Sequence, residues 1–256
     1  MRIAITREVS PAIGRCELTH LERQPIDLEL ARAQHRAYQA CLANLGCQVQ
    51  ALPAAPDLPD SVFVEDVAIV LDELAILTRP GAESRRPEVA AVAEALRPYR
   101  TLYAIEAPGT VDGGDVLRVG RRLFVGLSTR SNAAAIDQMR ALLAPYGYTV
   151  QGVPVAGCLH LKSAVTQVAG DTLLIHRAWV DPGAFDGLAL IDVDPSEPYA
   201  ANALRVGQAL VYPAAFPRTR GRLEARGLTV LPVDVSELAK AEGAVTCCSL
   251  IFETAE

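Results

Sequence analysis

Short apolar runs rich in β-branched residues recur along the chain in pairs, and two or three turn-forming residues separate the members of each pair. The first runs of three pairs begin at residues 66, 115 and 164, so the pairs are 49 residues apart. Such runs predict β-hairpins, and recurrence at this period favours a propeller or a solenoid. The four predicted hairpins comprise residues 66–70 with 74–78, 115–119 with 123–127, 164–168 with 172–176, and 203–206 with 209–212.

Helical periodicity follows most of these hairpins. Residues 88–96 and 132–144 place apolar side chains at spacings of three and four, which predicts amphipathic helices, and a shorter helix is predicted over residues 218–226. A further strand follows each helix, and these strands are predicted over residues 101–105, 149–155 and 228–233. The repeating unit is therefore strand, strand, helix, strand.

A fifth unit is divided between the two ends of the chain. Its first strand is predicted over residues 245–252 and its second over residues 2–6, while a helix over 27–45 and a strand over 48–52 complete it. Pairing of the two ends would remove open sheet edges. The sequence therefore predicts an α/β fold, a five-bladed ββαβ propeller with pseudo-fivefold symmetry, formed by residues 1–256 as a single domain.

Composition and charge exclude several classes of protein. The net charge is −6 and the pI is about 5.3, which argues against a nucleic-acid partner. No apolar run reaches the ~18 residues that would span a membrane, and the N-terminal residues lack the pattern of a secretory signal. The six cysteines show neither a CxxC pair nor metal-ligand spacing with histidine, so we expect reduced thiols in a cytoplasmic protein.

Polar residues that could carry chemistry fall at equivalent points of the repeats, just before or within the first strand of a unit. Glu65 and Asp66 lie at one such point, residues 112–115 and 160–162 at two more, and Cys247 at the corresponding point of the divided unit. Equivalent points of a closed ring of repeats converge on its axis. The sequence therefore predicts that carboxylates, an imidazole and a thiol share one central cavity.

Two adjacent cysteines lie in the apolar run at residues 245–252, for which a buried strand is predicted. Successive side chains of a strand point to opposite faces, so only one of Cys247 and Cys248 would face a given cavity. Periodicity alone does not say which one does, and both could be small residues of a core.

Five segments, taken together, resemble the dimethylarginine dimethylaminohydrolase family, which belongs to the guanidino-modifying superfamily and has the pentein fold. The segments are residues 63–66, 110–115, 126–132, 160–162 and 243–249. The resemblance extends from the N-terminal strand to the cysteine motif, and the motifs occur in the family's order. A pentein fold agrees with the five repeated units inferred above.

The resemblance implies a catalytic role for three residues. Cys247, rather than Cys248, is expected to be the nucleophile, which must become a thiolate before it attacks carbon. His160 is expected to protonate the leaving amine and then to deprotonate water. Asp112 is expected to orient or polarise His160.

The resemblance also implies a set of substrate contacts. Asp66 is expected to bind the guanidinium, with Glu65 beside it, and Asp60 to bind the α-amino group. A backbone group of Leu18 is expected to contact the substrate from a lid, and two arginines before predicted helices are expected to bind the α-carboxylate. The implied substrate-binding residues are Leu18, Asp60, Glu65, Asp66, Arg85 and Arg130.

The implied reaction is hydrolysis of a small molecule, an Nω-methylated L-arginine, to L-citrulline and a methylamine through a thiouronium adduct on Cys247. No metal or other cofactor is expected, and a homodimer is left open. Lys162 favours methylated substrates, because arginine and agmatine deiminases carry an aspartate two residues after the catalytic histidine. The alternatives are an arginine or agmatine deiminase, an amidinotransferase, and a non-catalytic member of the same fold, which would lack the cysteine and histidine.

Overall fold

The computed structural model describes residues 1–254 and contains five three-stranded β-sheets. The strands, in chain order, are β1 (Arg2–Arg7), β2 (Cys47–Leu52), β3 (Ala68–Val70), β4 (Leu74–Leu77), β5 (Thr101–Ala104), β6 (Val116–Val119), β7 (Arg122–Leu127), β8 (Thr149–Pro154), β9 (Val165–Ala169), β10 (Thr172–Ile175), β11 (Ala189–Asp192), β12 (Leu204–Val206), β13 (Ala209–Pro213), β14 (Thr229–Val233) and β15 (Leu250–Glu253). In every sheet the central strand pairs antiparallel with one neighbour and parallel with the other. Four of the sheets are thus a predicted hairpin with one further strand, and in the fifth the two ends of the chain supply the first two strands.

The two ends of the chain share one sheet, as predicted. β1 lies between β15 and β2, with Arg2 opposite Glu253 in the antiparallel pair and opposite Cys47 in the parallel pair. Neighbouring sheets contact one another in ring order, so the fold is a five-bladed α/β propeller closed by both termini. We continue to expect residues 1–256 to form a single domain, since neither end can leave its sheet without opening the ring.

Helices connect the second and third strands of four blades, as predicted. The helices, in chain order, are α1 (Leu28–Asn44), α2 (Val89–Leu96), α3 (Ala133–Leu143), α4 (Leu161–Ala164), α5 (Pro217–Glu224) and α6 (Ser236–Ala239). α1 begins where the side chain of Asp27 accepts a hydrogen bond from the Leu30 amide at 3.0 Å. It buries the stripe that contains Tyr38 and Leu42. No helix within residues 1–254 is long and apolar enough to cross a membrane.

The blade formed by β9, β10 and β11 differs from the others. A short 3-10 helix, Pro182–Phe185, replaces the α-helix, and it leads to β11, a strand that the hydrophobic pattern did not predict. Pro182 and the glycines at positions 183 and 187 interrupt any helical run in this connection. Phe185 nevertheless fills the place of a helix side chain, because its buried ring packs 5.0 Å from the ring of Phe124.

The predicted strand over residues 245–252 is too long, and this is a correction. Residues 245–248 form a turn, and only Leu250–Glu253 is a strand. The argument that Cys247 and Cys248 lie on opposite faces of a strand is therefore wrong. Turns fix these side chains instead: Cys248 is fully buried, with its Sγ 3.4 Å from the Ala244 carbonyl oxygen, whereas Cys247 is only partly buried.

The apolar core lies between neighbouring blades rather than in one central mass. One cluster joins Ile3 and Ile5 of β1 to Ala75 of β4 and Leu96 of α2, so it seals the contact between the divided blade and the next one. Four further clusters of buried residues pack in the same manner around the ring. The centre is thereby left to polar segments.

Candidate active site

Four short segments bring the polar residues of the repeats into one cleft. The segments are the 3-10 helices Val64–Val67 and Gly113–Asp115, the N-terminus of α4, and the loop at residues 243–249, which contains a turn over 245–248. Each of them directly precedes the first strand of a blade. The backbone amide of Glu65 donates to the carbonyl of Cys247 at 3.1 Å, which joins two of the segments.

His160 lies among carboxylates at the N-terminus of α4. Its Nε2 is 3.1 Å from Oδ2 of Asp112, and its Nδ1 is 3.8 Å from Oδ1 of Asp66. Oδ1 of Asp112 accepts a hydrogen bond from the Gly81 amide at 2.9 Å, so the carboxylate is fixed from behind. Asp112 therefore has the reach that orientation of the imidazole requires.

These surroundings decide the charge of His160. Burial favours the neutral imidazole and lowers its pKa, but surrounding negative charge outweighs burial and raises the pKa to about 9. The carboxylates responsible are those of Asp66, Asp112 and Asp115. At neutral pH His160 is therefore an imidazolium, which can donate a proton.

Asp115 supports this arrangement from below the imidazole, and the sequence analysis assigned it no role. Its Oδ2 accepts hydrogen bonds from the hydroxyls of Ser128 and Ser131, each at 2.6 Å, and its Oδ1 accepts one from the Leu161 amide at 2.9 Å. Asp115 thus ties the strand pair β6–β7 to the start of α4 and fixes the backbone next to His160. One feature of the sequence could have identified Asp115: it lies 49 residues after Asp66, at the same point of the repeat.

Asp66 is paired on both carboxylate oxygens. Oδ2 lies 2.6 Å from Nη1 of Arg85, and Oδ1 accepts a hydrogen bond from the Gly114 amide at 2.9 Å. Burial alone would raise the pKa of Asp66, but the charges of His160 and Arg85 hold it well below its ordinary value. Asp66 is therefore a carboxylate whenever His160 is a cation.

Arg85 belongs to a buried ion-pair network. Nη1 bonds Asp66, while Nε and Nη2 bond the carboxylate of Glu88, with Nη2 2.9 Å from Oε2. Nη2 also donates to the carbonyl of Phe63 at 3.2 Å. Of the five guanidinium N–H groups, one on Nη1 is left for a further acceptor. The sequence analysis missed Glu88, although its spacing of three residues from Arg85 is the usual one for a helical ion pair.

Glu65 is held by a cation and a hydroxyl. Nζ of Lys162 bonds Oε1 of Glu65, and the hydroxyl of Thr246 donates to Oε2 at 2.8 Å. Asn202 connects the same residues, because its Nδ2 donates both to the Lys162 carbonyl at 3.0 Å and to the Thr246 hydroxyl at 2.9 Å. Burial raises the pKa of Glu65, although Lys162 opposes the shift.

Two of the residues expected at the amino-acid end of a substrate contact residues 17 and 19, and a third, Leu18, lies between them in the chain. The Asp60 carboxylate accepts a hydrogen bond from the Glu17 amide, with Oδ2 at 3.1 Å. Nη2 of Arg130 donates to the hydroxyl of Thr19 at 3.1 Å, and its Nη1 is 3.8 Å from Oδ2 of Asp112. Leu18 is half-buried and packs on the apolar cluster beneath α1.

The surroundings of Cys247 disfavour ionisation of its thiol. Burial raises its pKa to about 12, and the charges of Glu65 and Asp66 add to the effect. Lys162 acts in the opposite direction but is outweighed. Cys247 is therefore a neutral thiol at neutral pH, in the cleft that a protonated His160 also lines.

The cleft itself encloses about 20 Å³, which is room for about one water molecule. Six of the predicted site residues line it, whereas Leu18, Glu65 and Asp112 do not. The lining residues are Glu17, Asp60, Phe63, Asp66, Arg85, Arg130, Leu159, His160, Ala241, Glu242, Gly243 and Cys247. The repeats therefore bring acid, base, thiol and arginines to one place.

Glycine is required where the backbone passes closest to the imidazole. A Cβ on Gly114 would lie 2.5 Å from Nδ1 of His160 and 2.8 Å from Oδ1 of Asp66. Such distances are not tolerated, so only glycine allows the Gly114 amide to reach Asp66.

Asp66, Asp112 and His160 could also be regarded as a metal-binding group. One donor atom from each lies within 4.8 Å of the others. However, the same carboxylates already accept hydrogen bonds from backbone amides, and the guanidinium of Arg85 bonds one of them. A metal ion here would lie next to the guanidinium of Arg85, and His160 would have to lose its favoured proton to bind it, so the donor set fits an imidazolium better than a resident metal.

Comparisons with known proteins agree with the resemblance seen in the motifs. The family model described as N,N dimethylarginine dimethylhydrolase, eukaryotic, matches residues 18–176. The N(G),N(G)-dimethylarginine dimethylaminohydrolase of Streptomyces coelicolor is 41% identical over 249 residues, which cover 96% of this chain and 95% of the relative.

Solved structures give the same result. A Cys-to-Ser mutant of the enzyme from Pseudomonas aeruginosa, complexed with citrulline, superposes with a TM-score of 0.92 at 36% identity and covers 97% of this chain and 98% of its own. The N-terminal domain of a cyanobacterial arginine dihydrolase, bound to product, has a TM-score of 0.87 at 20% identity, covers 98% and 97% of the two chains, and shows the shared fold alone. This chain therefore belongs to the dimethylarginine dimethylaminohydrolase family.

Proposed function

We propose that this protein hydrolyses Nω-methylated L-arginine, both monomethylarginine and asymmetric dimethylarginine, to L-citrulline and the corresponding methylamine. The observation that carries the proposal is the cleft in which Cys247 and an imidazolium of His160 lie beside the Asp66 carboxylate. The family to which the chain belongs supports it. The cleft places a nucleophile, a proton donor and an anion where a guanidinium would meet all three.

Substrate binding follows from the charges. Asp66 keeps unused lone pairs that can accept N–H groups of a guanidinium. Asp60, at the other end of the cleft, would bind the α-amino group together with the backbone at Leu18. Arg130 and the remaining N–H of Arg85 would bind the α-carboxylate.

The chemistry follows from the protonation states. A bound guanidinium brings positive charge next to Cys247 and so favours its thiolate; the thiol proton leaves to solvent and returns when the product departs. The sulfur attacks the guanidinium carbon, and the C–N bond to the methylated nitrogen breaks as His160 donates its proton to the departing amine. The thiouronium adduct that remains carries the rest of the substrate on Cys247.

Hydrolysis of the adduct uses His160 in its second state. The imidazole is neutral after the first step, so it can take a proton from water as the water oxygen attacks the same carbon. The C–S bond then breaks, citrulline departs, and His160 is again protonated beside Asp112. Three nearby carboxylates stabilise that cation at the end of each cycle.

Lys162 sets the choice of substrate in this proposal. A dimethylated nitrogen has no N–H to donate, so a carboxylate facing it would be buried without a partner, at a cost of about 1–3 kcal/mol. Lys162 stands where deiminases place that carboxylate, and its Nζ bonds Glu65. The pair leaves one side of the guanidinium without a second carboxylate clamp.

We also place the reaction in the cytoplasm. All six cysteines are free, which suits a reducing compartment. Oxidation of the Cys247 thiol would remove the proposed nucleophile.

The first prediction concerns the substrate. Citrulline release should have a kcat/KM for asymmetric dimethylarginine about 10- to 100-fold above that for arginine, since arginine would leave one N–H group unpaired. Lys162→Asp should reduce this ratio at least about tenfold, whereas Lys162→Met, which removes the charge without adding a carboxylate, should not improve arginine turnover. Citrulline and dimethylamine are measured in parallel.

Two outcomes would contradict this assignment. A wild-type kcat/KM for arginine above that for dimethylarginine, with ammonia as the second product, would favour a deiminase. Transfer of the amidino group to an added amine, without citrulline, would favour an amidinotransferase.

The second prediction concerns the nucleophile. Cys247→Ser should lower kcat at least about 1000-fold, because an alcohol lacks the reactivity of the thiolate. Cys248→Ser is the matched control: its side chain lies in the core, so activity should fall less than about tenfold while stability falls. Mass spectrometry of enzyme quenched during turnover should locate an adduct on Cys247. Activity of Cys247→Ser near that of wild type would refute the mechanism.

The third prediction concerns pH. His160 must be protonated in the enzyme–substrate complex, where the bound guanidinium already favours the Cys247 thiolate, so kcat should fall as pH rises through about 9, the pKa of His160. Asp112→Asn removes a charge that raises this pKa, so the decline should begin at least about one pH unit lower. Asp171→Asn, which changes an exposed carboxylate in a distant turn, should leave the decline in place.

The substrate's own α-amino group also titrates near this pH, but it is unaffected by either substitution. A profile that is identical in wild type and Asp112→Asn would therefore assign the decline to the substrate. That result would remove His160 as the titrating acid.

A further inference from the structure

The carboxylate of Glu242 holds residues 19–21 through three consecutive backbone amides. The Thr19 amide donates to Oε2 at 3.0 Å, and the amides of His20 and Leu21 donate to Oε1 at 2.5 and 2.7 Å. Hydrogen bonds to a charged acceptor are the strong kind. One side chain therefore fixes the course of three successive peptide units.

Little packing could fix this segment otherwise. Thr19 and His20 are exposed. His20 and Leu21 border an apolar cavity of about 310 Å³, which also reaches Glu242 and extends to Phe216. A segment with open space on one side and solvent on another depends on its hydrogen bonds for its position.

The backbone of Glu242 points to the same conclusion. Its φ is +58°, in the left-handed region that glycine adopts freely and other residues rarely occupy. Stability alone would favour glycine at this position. Strained positions of this kind indicate a residue retained for what its side chain does.

The bonded segment lies over the cleft. Glu17 and Glu242 both line the space that contains His160 and Cys247. Thr19 accepts a hydrogen bond from Arg130 at 3.1 Å, so the segment also touches a residue proposed to bind the α-carboxylate. Because the cleft encloses about 20 Å³, an arginine derivative can enter only if part of this cover moves.

We propose that Glu242 is a positioning residue whose carboxylate latches residues 17–21 over the cleft and so places the backbone at Leu18 and the hydroxyl of Thr19 against the amino-acid end of the substrate. The inference rests on the proposed function for the identity of that substrate. The loop before Cys247 would then have a second role, which is to hold residues 17–21 in place as the opposite side of the site. Glu242 itself does not touch the reacting atoms.

Substitution at position 242 separates this role from a purely structural one. In Glu242→Gly the latch is lost while the left-handed backbone is relieved, so KM for methylarginine should rise at least about tenfold with kcat changed less than about threefold. The melting temperature should stay equal or rise. Glu242→Gln keeps one acceptor oxygen, so its KM should lie between those of wild type and the glycine variant.

The matched control is Glu22→Gln. Glu22 is an exposed carboxylate of the same segment with no hydrogen bond recorded among residues 1–254, so its substitution removes the same charge without touching the latch. It should leave KM unchanged. A fall in melting temperature with parallel loss of kcat in Glu242→Gly would overturn the proposal in favour of a structural role.

Hydrogen exchange tests the latch without any substrate. The amides of residues 19–21 should exchange at least about tenfold faster in Glu242→Gly than in wild type or Glu22→Gln, as measured by mass spectrometry of peptides covering this segment. If no arginine derivative is turned over but exchange accelerates as stated, the latch stands and the proposed substrate fails. Unchanged exchange in Glu242→Gly overturns the latch, whatever the substrate.

Discussion

The buried imidazolium of His160, enclosed by carboxylates, is the interaction on which the rest of the site depends. A charge taken out of water is costly unless partners compensate it, and three aspartates from two blades do so here. Their own negative charge is balanced by Arg85 and by backbone amides such as that of Gly114. The assembly holds together only while the ring is closed, because its members come from different blades.

The same arrangement explains why the Cys247 thiol should stay neutral until a substrate binds. Burial and the charges of Glu65 and Asp66 favour a neutral Cys247, so at rest the cleft holds the proposed proton donor together with a proposed nucleophile that is still a thiol. A guanidinium reverses the local balance because it supplies the positive charge that a thiolate needs. Reactivity is thereby tied to the class of ligand, which protects the thiol from unrelated electrophiles.

The sequence predicted the repeat, the shared terminal blade and the converging polar residues, because hydrophobic period and turn residues act locally. Prediction from the sequence failed where tertiary contacts determine the local structure. The run at residues 245–252 has strand propensity, yet its first half turns so that Cys247 reaches the cleft. Glu242 escaped notice because its partners are set by folding, and β11 because Pro182 and nearby glycines obscured its blade, whereas Glu88 was missed despite its helical spacing from Arg85.

The central claim is that the Cys247 thiol is neutral until a guanidinium binds. Thiolate absorbance near 240 nm, taken as the difference between wild type and Cys247→Ser, measures this directly across a pH series. Without ligand the account predicts no titration below about pH 10, because the pKa of Cys247 is raised to about 12. With saturating L-arginine, proposed to be a poor substrate, the signal should appear several pH units lower. Full thiolate absorbance at pH 7 without ligand would contradict the account.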